Sequence, residues 1–309
     1  MVAHGPSPGA DPHGISGEAD RGRLVAALAL IVAFMAVEVA VGVIADSLAL
    51  LSDAAHMLTD AGAIAFALIA MRLAARPPGG EFTFGLKRAE ILAAQVNGVT
   101  LLVLGVWIVY EGIGRLASPP ETEGAAVLAV AIAGIAVNLA ATMLLAQANR
   151  RSLNIEGAYQ HVLTDLVAFV ATAAAGAVIM ATGYHRADGI AAIFVAVIMF
   201  RAAYGLLRDS GRVLLEAAPA GLDPAEIGRL MASDPAVENV HDLHLWEVTS
   251  GFPALSAHVL VREDADCHAE RRRLEQLLHD RFAIDHVTLQ VEHASADLLQ
   301  IEPAPGDSA

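Results

Sequence analysis

Six long apolar segments constrain the fold of this sequence more than any other feature. They are Leu24–Ile44, Leu48–Ala74, Ala89–Leu116, Ala125–Gln147, Glu156–Thr182 and Ile190–Leu207. A helix needs about 20 apolar residues to cross about 30 Å of hydrocarbon, and each segment meets that length. A hydrophobic content of 56% and a mean hydropathy of +0.54 agree with this assignment. The sequence therefore predicts a membrane α-helical domain with six transmembrane helices over residues 21–212.

Basic residues are concentrated in alternate connections between these segments. They include Arg21, Arg23, Arg72, Arg76, Lys87, Arg88, Arg150, Arg151, Arg208 and Arg212. The first connection, around Asp46, carries none, and the third and fifth carry few. Because basic connections stay on the cytoplasmic side, we expect both termini to be cytoplasmic.

A short polar motif occurs twice inside the apolar segments. His56 and Asp60 lie in the second segment, His161 and Asp165 lie in the fifth, and both copies read His-x-Leu-Thr-Asp. Residues four apart share one face of a helix, so each copy presents an imidazole and a carboxylate together. Two such helices facing each other would offer a four-ligand tetrahedral site suited to Zn²⁺. The alternative is that each pair satisfies interhelical hydrogen bonds, but the repetition at identical spacing favours a metal site.

Other polar residues in the segments have two interpretations each. Asp53, one turn before His56, either lines the ion pathway or holds the histidine by a hydrogen bond. Glu38 is either a proton-relay group or packs toward a polar cavity. Asn97 and Asn138 are expected to form interhelical hydrogen bonds.

The character of the chain changes after Glu216 to that of a soluble domain, which we place at residues 213–300. Its predicted elements are a helix from Asp223-Pro224, strands Val237–Val248 and Ala254–Val261, a helix Asp266–Phe282 and a strand Ile284–Val291. This αββαβ order predicts a small α+β domain with helices on one face of a sheet. Residues 1–20 and 301–309 are predicted to be disordered tails, and the first of them shows no pattern of a cleavable signal peptide.

Charge and cysteine content exclude several classes of function. The net charge of −15 argues against nucleic acid as a partner. Cys267 is the only cysteine, which excludes an intramolecular disulfide and a cysteine-rich zinc module. The His-Glu-x-x-His motif of a membrane metalloprotease is absent, so we do not expect an enzyme.

Four stretches together resemble the cation diffusion facilitator family, in its zinc-exporting branch. They are Ser47–Asp60, Phe82–Glu90, His161–Asp165 and Val240–Trp246. The resemblance implies a homodimer of six-span protomers in the plasma (inner) membrane, each with a ferredoxin-like cytosolic domain for metal binding and dimerisation. It also implies export of zinc from the cytoplasm in exchange for protons, by alternating access. Two alternatives stay open, which are a broader Cd/Co/Ni/Zn exporter and a membrane zinc sensor without transport.

The resemblance also implies roles for individual residues. The transport site corresponds to His56, Asp60, His161 and Asp165, and a regulatory or structural zinc site in the cytosolic domain corresponds to His241, His258, His268 and Glu292. Arg88 and Glu216 match a charge pair of the family, although Arg88 could equally be a topology anchor. The second connection, residues 77–82, has no histidine, so we expect no metal site there, and the short fourth connection, residues 148–154, excludes a histidine-rich tether.

Overall fold

The computed structural model describes residues 18–44, 48–119 and 124–293. The chain forms two compact units. One contains the residues up to Leu215 together with Thr249–Gly251, and the other contains Glu216–Val248 and the residues from Phe252 onward. The first helix begins at Glu18, inside the tail predicted over residues 1–20. The remainder of that tail, and the predicted tail at 301–309, lie outside the described residues.

Within the described residues, the first unit consists of six long helices, as the apolar segments predicted. They are α1 Glu18–Ile44, α2 Leu48–Ala74, α3 Ala89–Ala117, α4 Gly124–Ala146, α5 Leu153–Thr182 and α6 Arg186–Leu214. Within the described residues, four of these helices, α3 to α6, contain stretches long and apolar enough to cross a membrane, and Ala61–Ala74 of α2 is a shorter apolar stretch. The predicted helical membrane domain is therefore confirmed.

Close packing joins α3 to α6 along much of their length. Glycines spaced seven residues apart on α3 face larger residues spaced seven apart on α6, pairing Gly98 with Leu207, Gly105 with Phe200 and Gly112 with Ile193. Near the end of this seam, a Cβ on Gly189 would lie 2.9 Å from the carbonyl oxygen of Gly112. Backbone atoms cannot move aside as a side chain does, so the contact depends on glycine at this position.

The other four helices share one buried apolar cluster. It includes Leu24 and Ile31 of α1, Met57 and Ile64 of α2, Leu145 of α4, and Ile155 and Val162 of α5, all of which are almost fully buried. Since side chains from all four helices belong to this cluster, α2 and α5 lie side by side within it. This arrangement positions the candidate site.

The second unit has the predicted αββαβ order, which confirms the α+β assignment. Its elements are α7 Pro224–Ala232, β1 Val237–Glu247, β2 Pro253–Val261, α8 Cys267–Phe282 and β3 His286–His293. The sheet order is β1-β2-β3, with β1 antiparallel and β3 parallel to the central β2. Both helices begin at aspartate caps, since Asp223 accepts a hydrogen bond from the backbone N–H of Ala225, and Asp266 accepts from those of His268 and Ala269.

Both helices of this unit pack on one face of the sheet. Ile227 of α7 and Leu278 of α8 belong to the same buried cluster as Leu255 and Val259 of β2. Side chains alternate between the two faces of a strand, so residues at even spacing in β2 share the buried face. The opposite face of β2 carries His258.

Candidate functional site

The candidate transport site lies where α5 packs against α2. Asn154, in the first turn of α5, donates a hydrogen bond from Nδ2 to the carbonyl oxygen of Ala67 on α2, at 2.9 Å. Met57 of α2 and Val162 of α5, which lie beside the two copies of the motif, belong to the same buried cluster. The two helices that carry the repeated motif are therefore in contact.

The second copy of the motif is buried on α5. His161 is 1% exposed and Asp165 is 6% exposed, although both are ionisable. The Nε2 atom of His161 lies 4.0 Å from Oδ2 of Asp165, so the two groups are directed to the same interior space. Two ligands of one tetrahedral zinc lie about 3.4 Å apart at ordinary bond lengths, so the observed spacing is close to that of a ligand pair.

The first copy of the motif lies in α2, but its side chains are outside the described residues. This applies to Asp53, His56 and Asp60, and to Glu38 of α1. The backbone places residues 53, 56 and 60 within the helix Leu48–Ala74. The convergence of His56 and Asp60 on the α5 pair, and the roles of Asp53 and Glu38, therefore stay predictions.

In the second unit, two of the four predicted cytosolic ligands lie together. His241 of β1 and His258 of β2 are paired across the two strands, with ring centroids 5.4 Å apart. Asp242, which was not predicted, lies beside them, because its Oδ2 is 3.8 Å from Nε2 of His258 and its Oδ1 is 2.9 Å from Nε2 of His244. Two imidazoles and a carboxylate are donors that suit zinc.

A distortion of β1 brings Asp242 to this position. The pairing of β1 with β2 shifts register between His241 and His244, and Asp242 has a positive φ of 50°. One signal of this distortion is present in the sequence, namely the His-Asp-x-His spacing on an otherwise alternating strand. A bulge re-aims side chains, and here it directs Asp242 toward His258.

The other two predicted ligands are not joined to this pair. Glu292 of β3 accepts a hydrogen bond from Gln290, and Gln290 is the residue paired with His258. His268 is the second residue of α8, where its backbone N–H is capped by Asp266. Across the described parts of the chain, no group of three or more His, Cys, Asp or Glu side chains is arranged to hold a metal ion. A cytosolic site built from all four predicted residues therefore stays a prediction.

Glu270 on α8 predicts a pH dependence of stability in the second unit. Burial raises the pKa of Glu270, the charge of Asp234 raises it further, and Arg273 opposes the shift. A carboxyl whose folded-state pKa is raised destabilises the fold when ionised, and this cost disappears as pH falls through that pKa. We expect Glu270→Gln to slow amide hydrogen exchange in α8 at neutral pH, with the advantage shrinking as pH falls. Equal exchange in the variant and the native protein at neutral pH would contradict this.

The remaining predicted residues lie at helix ends. Arg88 directly precedes α3, and Glu216 follows α6 with a left-handed φ of 57°. They belong to different units, so their charge pair stays a prediction.

Comparison with known proteins identifies the family. Residues 24–215 match the cation efflux transmembrane domain, and residues 219–294 match the cation efflux protein cytoplasmic domain. The chain belongs to the cation efflux family. The first match covers the helices from Leu24 of α1 to the end of α6, and the second covers the αββαβ unit.

Curated relatives in this family cover most of the chain. A "Cadmium, cobalt and zinc/H(+)-K(+) antiporter" of Bacillus velezensis is 37% identical over 238 residues, which is 75% of this chain and 76% of the relative. The "Metal cation efflux system protein CzcD" of Cupriavidus metallidurans is 40% identical over 76% of this chain and 75% of the relative. The "Zinc transporter ZitB" of Escherichia coli is 41% identical over 75% of this chain and 74% of the relative.

The matching solved structures include one of a C-terminal domain alone. It is described as the metal-bound C-terminal domain of the CzcD transporter, is 39% identical, and covers 23% of this chain and 99% of that chain with a TM-score of 0.22.

Proposed function

We propose that this protein exports divalent metal ions, zinc foremost, from the cytoplasm across the inner membrane in exchange for protons. The observation that carries the proposal is the buried His161–Asp165 pair on α5, a helix that packs against α2. Its relatives are named as a zinc transporter, a metal cation efflux system protein and an antiporter of cadmium, cobalt and zinc with H⁺ and K⁺. The protein acts as a homodimer with both termini in the cytoplasm.

Helix geometry supports a four-ligand site that includes His56 and Asp60. If each of the six helices crosses the membrane once, the second and the fifth run in opposite directions. Asn154 of α5 and Ala67 of α2 are hydrogen bonded, which places these two residues at the same height. His161 follows Asn154 by seven residues, and residue 60 precedes Ala67 by seven. Because seven residues make about two helical turns, residue 60 lies at the height of His161 and on the same side of α2 as Ala67.

The chemistry of the donors explains the preference for zinc and the coupling to protons. Two nitrogens and two carboxylate oxygens match the tetrahedral shell of Zn²⁺ better than the oxygen octahedra of Mg²⁺ or Mn²⁺. Two carboxylates neutralise the dication away from water. Histidine and aspartate bind metal only when deprotonated, so protons and metal compete for the site. When the site is exposed alternately to the two sides of the membrane, a metal ion is exchanged for protons.

The His241–His258 pair, with Asp242, is the part of the second unit that we propose for a cytosolic zinc site. This zinc would act as a regulatory or structural ligand, distinct from the zinc that is transported. A broader range of substrates, including Cd²⁺ and Co²⁺, is the second candidate function, because the Bacillus relative is named for these metals.

Zinc flux into proteoliposomes tests the proposal. Vesicles containing the purified protein and a zinc-sensitive dye are diluted into zinc buffer with or without an acidic interior. One pH unit is worth about 1.4 kcal/mol per proton exchanged, so we expect the accumulation ratio to rise about tenfold per proton and per unit of gradient. An ionophore that removes the gradient should abolish the gain. Equal zinc uptake with and without the gradient would refute proton exchange, and a panel of Zn²⁺, Cd²⁺ and Co²⁺ separates the two candidate functions.

A further inference from the structure

Two buried carboxamides lie near the amino-terminal end of α5, on one side of the candidate transport site. Asn97 of α3 is 1% exposed and Asn154 of α5 is fully buried. Within the described residues, Nδ2 of Asn97 and Oδ1 of Asn154 have no hydrogen-bond partner, although Nδ2 of Asn154 bonds to Ala67. A buried donor and a buried acceptor without partners are both unfavourable, so each requires an explanation.

Both carboxamides lie where α3 packs against the first turns of α5. A Cβ on Gly157 would lie 3.2 Å from Nδ2 of Asn97, so the amide of Asn97 rests against the backbone of α5. Asn154 lies one turn before Gly157 on the same helix. The adjacent ends of α3 and α5 are held together by a buried hydrogen bond from the hydroxyl of Ser152 to Glu90. The acceptor on Asn154 therefore lies one turn of α5 away from the point where the donor of Asn97 meets this helix.

The same stretch of α5 leads to the metal-binding pair. Asn154, Gly157, His161 and Asp165 are all buried and follow one another at intervals of three, four and four residues. Residues at these intervals lie along one face of a helix. A polar stripe thus connects the amino-terminal end of α5 to the candidate site.

We propose that a water molecule binds between Asn97 and Asn154, and that this stripe is the hydrated route between the transport site and the amino-terminal side of α5. Water can accept a hydrogen bond from Nδ2 of Asn97 and donate one to Oδ1 of Asn154, which satisfies both groups. The proposal rests on the proposed function, which requires ions to reach His161 from outside the membrane.

Asn138 provides a matched control. It is a buried carboxamide of α4, 3% exposed, and its Nδ2 donates to the carbonyl oxygen of Gly134 in its own helix, at 3.1 Å, so the predicted interhelical bond of Asn138 is wrong. We expect Asn97→Leu to slow gradient-driven zinc flux about tenfold, the loss that one hydrogen bond to a route water can produce. Asn138→Leu should change the flux by less than about twofold. Zinc affinity at equilibrium should be unchanged in both variants, because Asn97 is not a ligand.

A second pair of variants keeps the test independent of the amide itself. Gly157→Ala places a methyl group 3.2 Å from Nδ2 of Asn97, the donor to the proposed water, whereas Gly205→Ala on α6 meets no atom within 4 Å. We expect slower flux in the first variant and native flux in the second. Hydroxyl-radical labelling generated from bound water should also decrease in the peptide 153–161 in Asn97→Leu, and not in Asn138→Leu.

The outcomes separate this inference from the proposed function. If the native protein transports zinc and Asn97→Leu does so at the rate of Asn138→Leu, the route is refuted. A weaker zinc affinity in Asn97→Leu, with no change in rate at saturating zinc, would likewise refute it, because Asn97 would then shape the site. If the native protein transports no zinc, the proposed function fails. Independently of transport, unchanged labelling of the peptide 153–161 in Asn97→Leu would refute the bound water.

Discussion

Replacing Asp165 by asparagine should reduce zinc flux by more than about 100-fold, because it removes a carboxylate from the proposed metal site while keeping the shape of the side chain. Asp165 is 6% exposed and lies 4.0 Å from His161, so its charge acts in an environment with little water. An asparagine cannot neutralise the dication, and its amide is a poor ligand for zinc. The measurement is the initial rate of zinc uptake into vesicles with an acidic interior.

Asp209→Asn is the control for this variant. Asp209 is an exposed aspartate near the end of α6, and the substitution changes the net charge of the chain by the same amount. We expect native flux in this variant, and native thermal unfolding in both. Asp165→Asn protein that transports zinc at half the native rate or better would remove Asp165 from the site. A loss of flux in both variants would instead indicate a general effect of charge.

Local rules were sufficient to predict the elements of the fold from the sequence. Hydropathy located the six long helices of the described residues, and the capping pattern at Asp223-Pro224 located the start of α7. The helix α6 continues to Leu214, whereas the apolar segment ends at Leu207. Hydropathy missed the last turns of this helix because they are polar. Hydropathy reports the part of a helix that lies in lipid, whereas hydrogen bonding determines where the helix ends. Similarly, α5 begins at Leu153, where Ser152 accepts a hydrogen bond from the N–H of Ile155.

The sites were less predictable because they depend on how elements pack. The spacing of His161 and Asp165 placed them on one face, since that follows from the helical period alone. The bond from Asn154 to Ala67 depends on the rotation of two helices about their axes, which periodicity does not give. In the second unit, the pairing of His241 with His258 follows from strand register, and the contribution of Asp242 follows from an irregularity in that register. A one-residue shift changes the face of every side chain that follows it.

At Gly134, where α4 packs against α5, we expect zinc flux to be as sensitive to substitution as at the proposed ligands. A Cβ on Gly134 of α4 would lie 2.4 Å from ring atoms of Phe169, and Phe169 follows Asp165 by one turn on α5. We expect Gly134→Ala to force the two helices apart, at a cost of about 1–3 kcal/mol in stability. The displacement should also reduce zinc flux, because it moves the turn of α5 that carries Asp165.

A double-mutant cycle distinguishes this steric effect from a general intolerance of α4 to change. Phe169→Leu removes the ring, so the combination of Gly134→Ala with Phe169→Leu should recover most of the thermal stability that Gly134→Ala loses. Gly114→Ala on α3, where a Cβ meets no atom within 4 Å, should unfold at the native temperature or above, since alanine also favours the helix. If the double variant is no more stable than Gly134→Ala alone, the ring contact is not the cause of the loss. Recovery of both stability and flux in the double variant would show that the clash of the added methyl group with the Phe169 ring causes both losses.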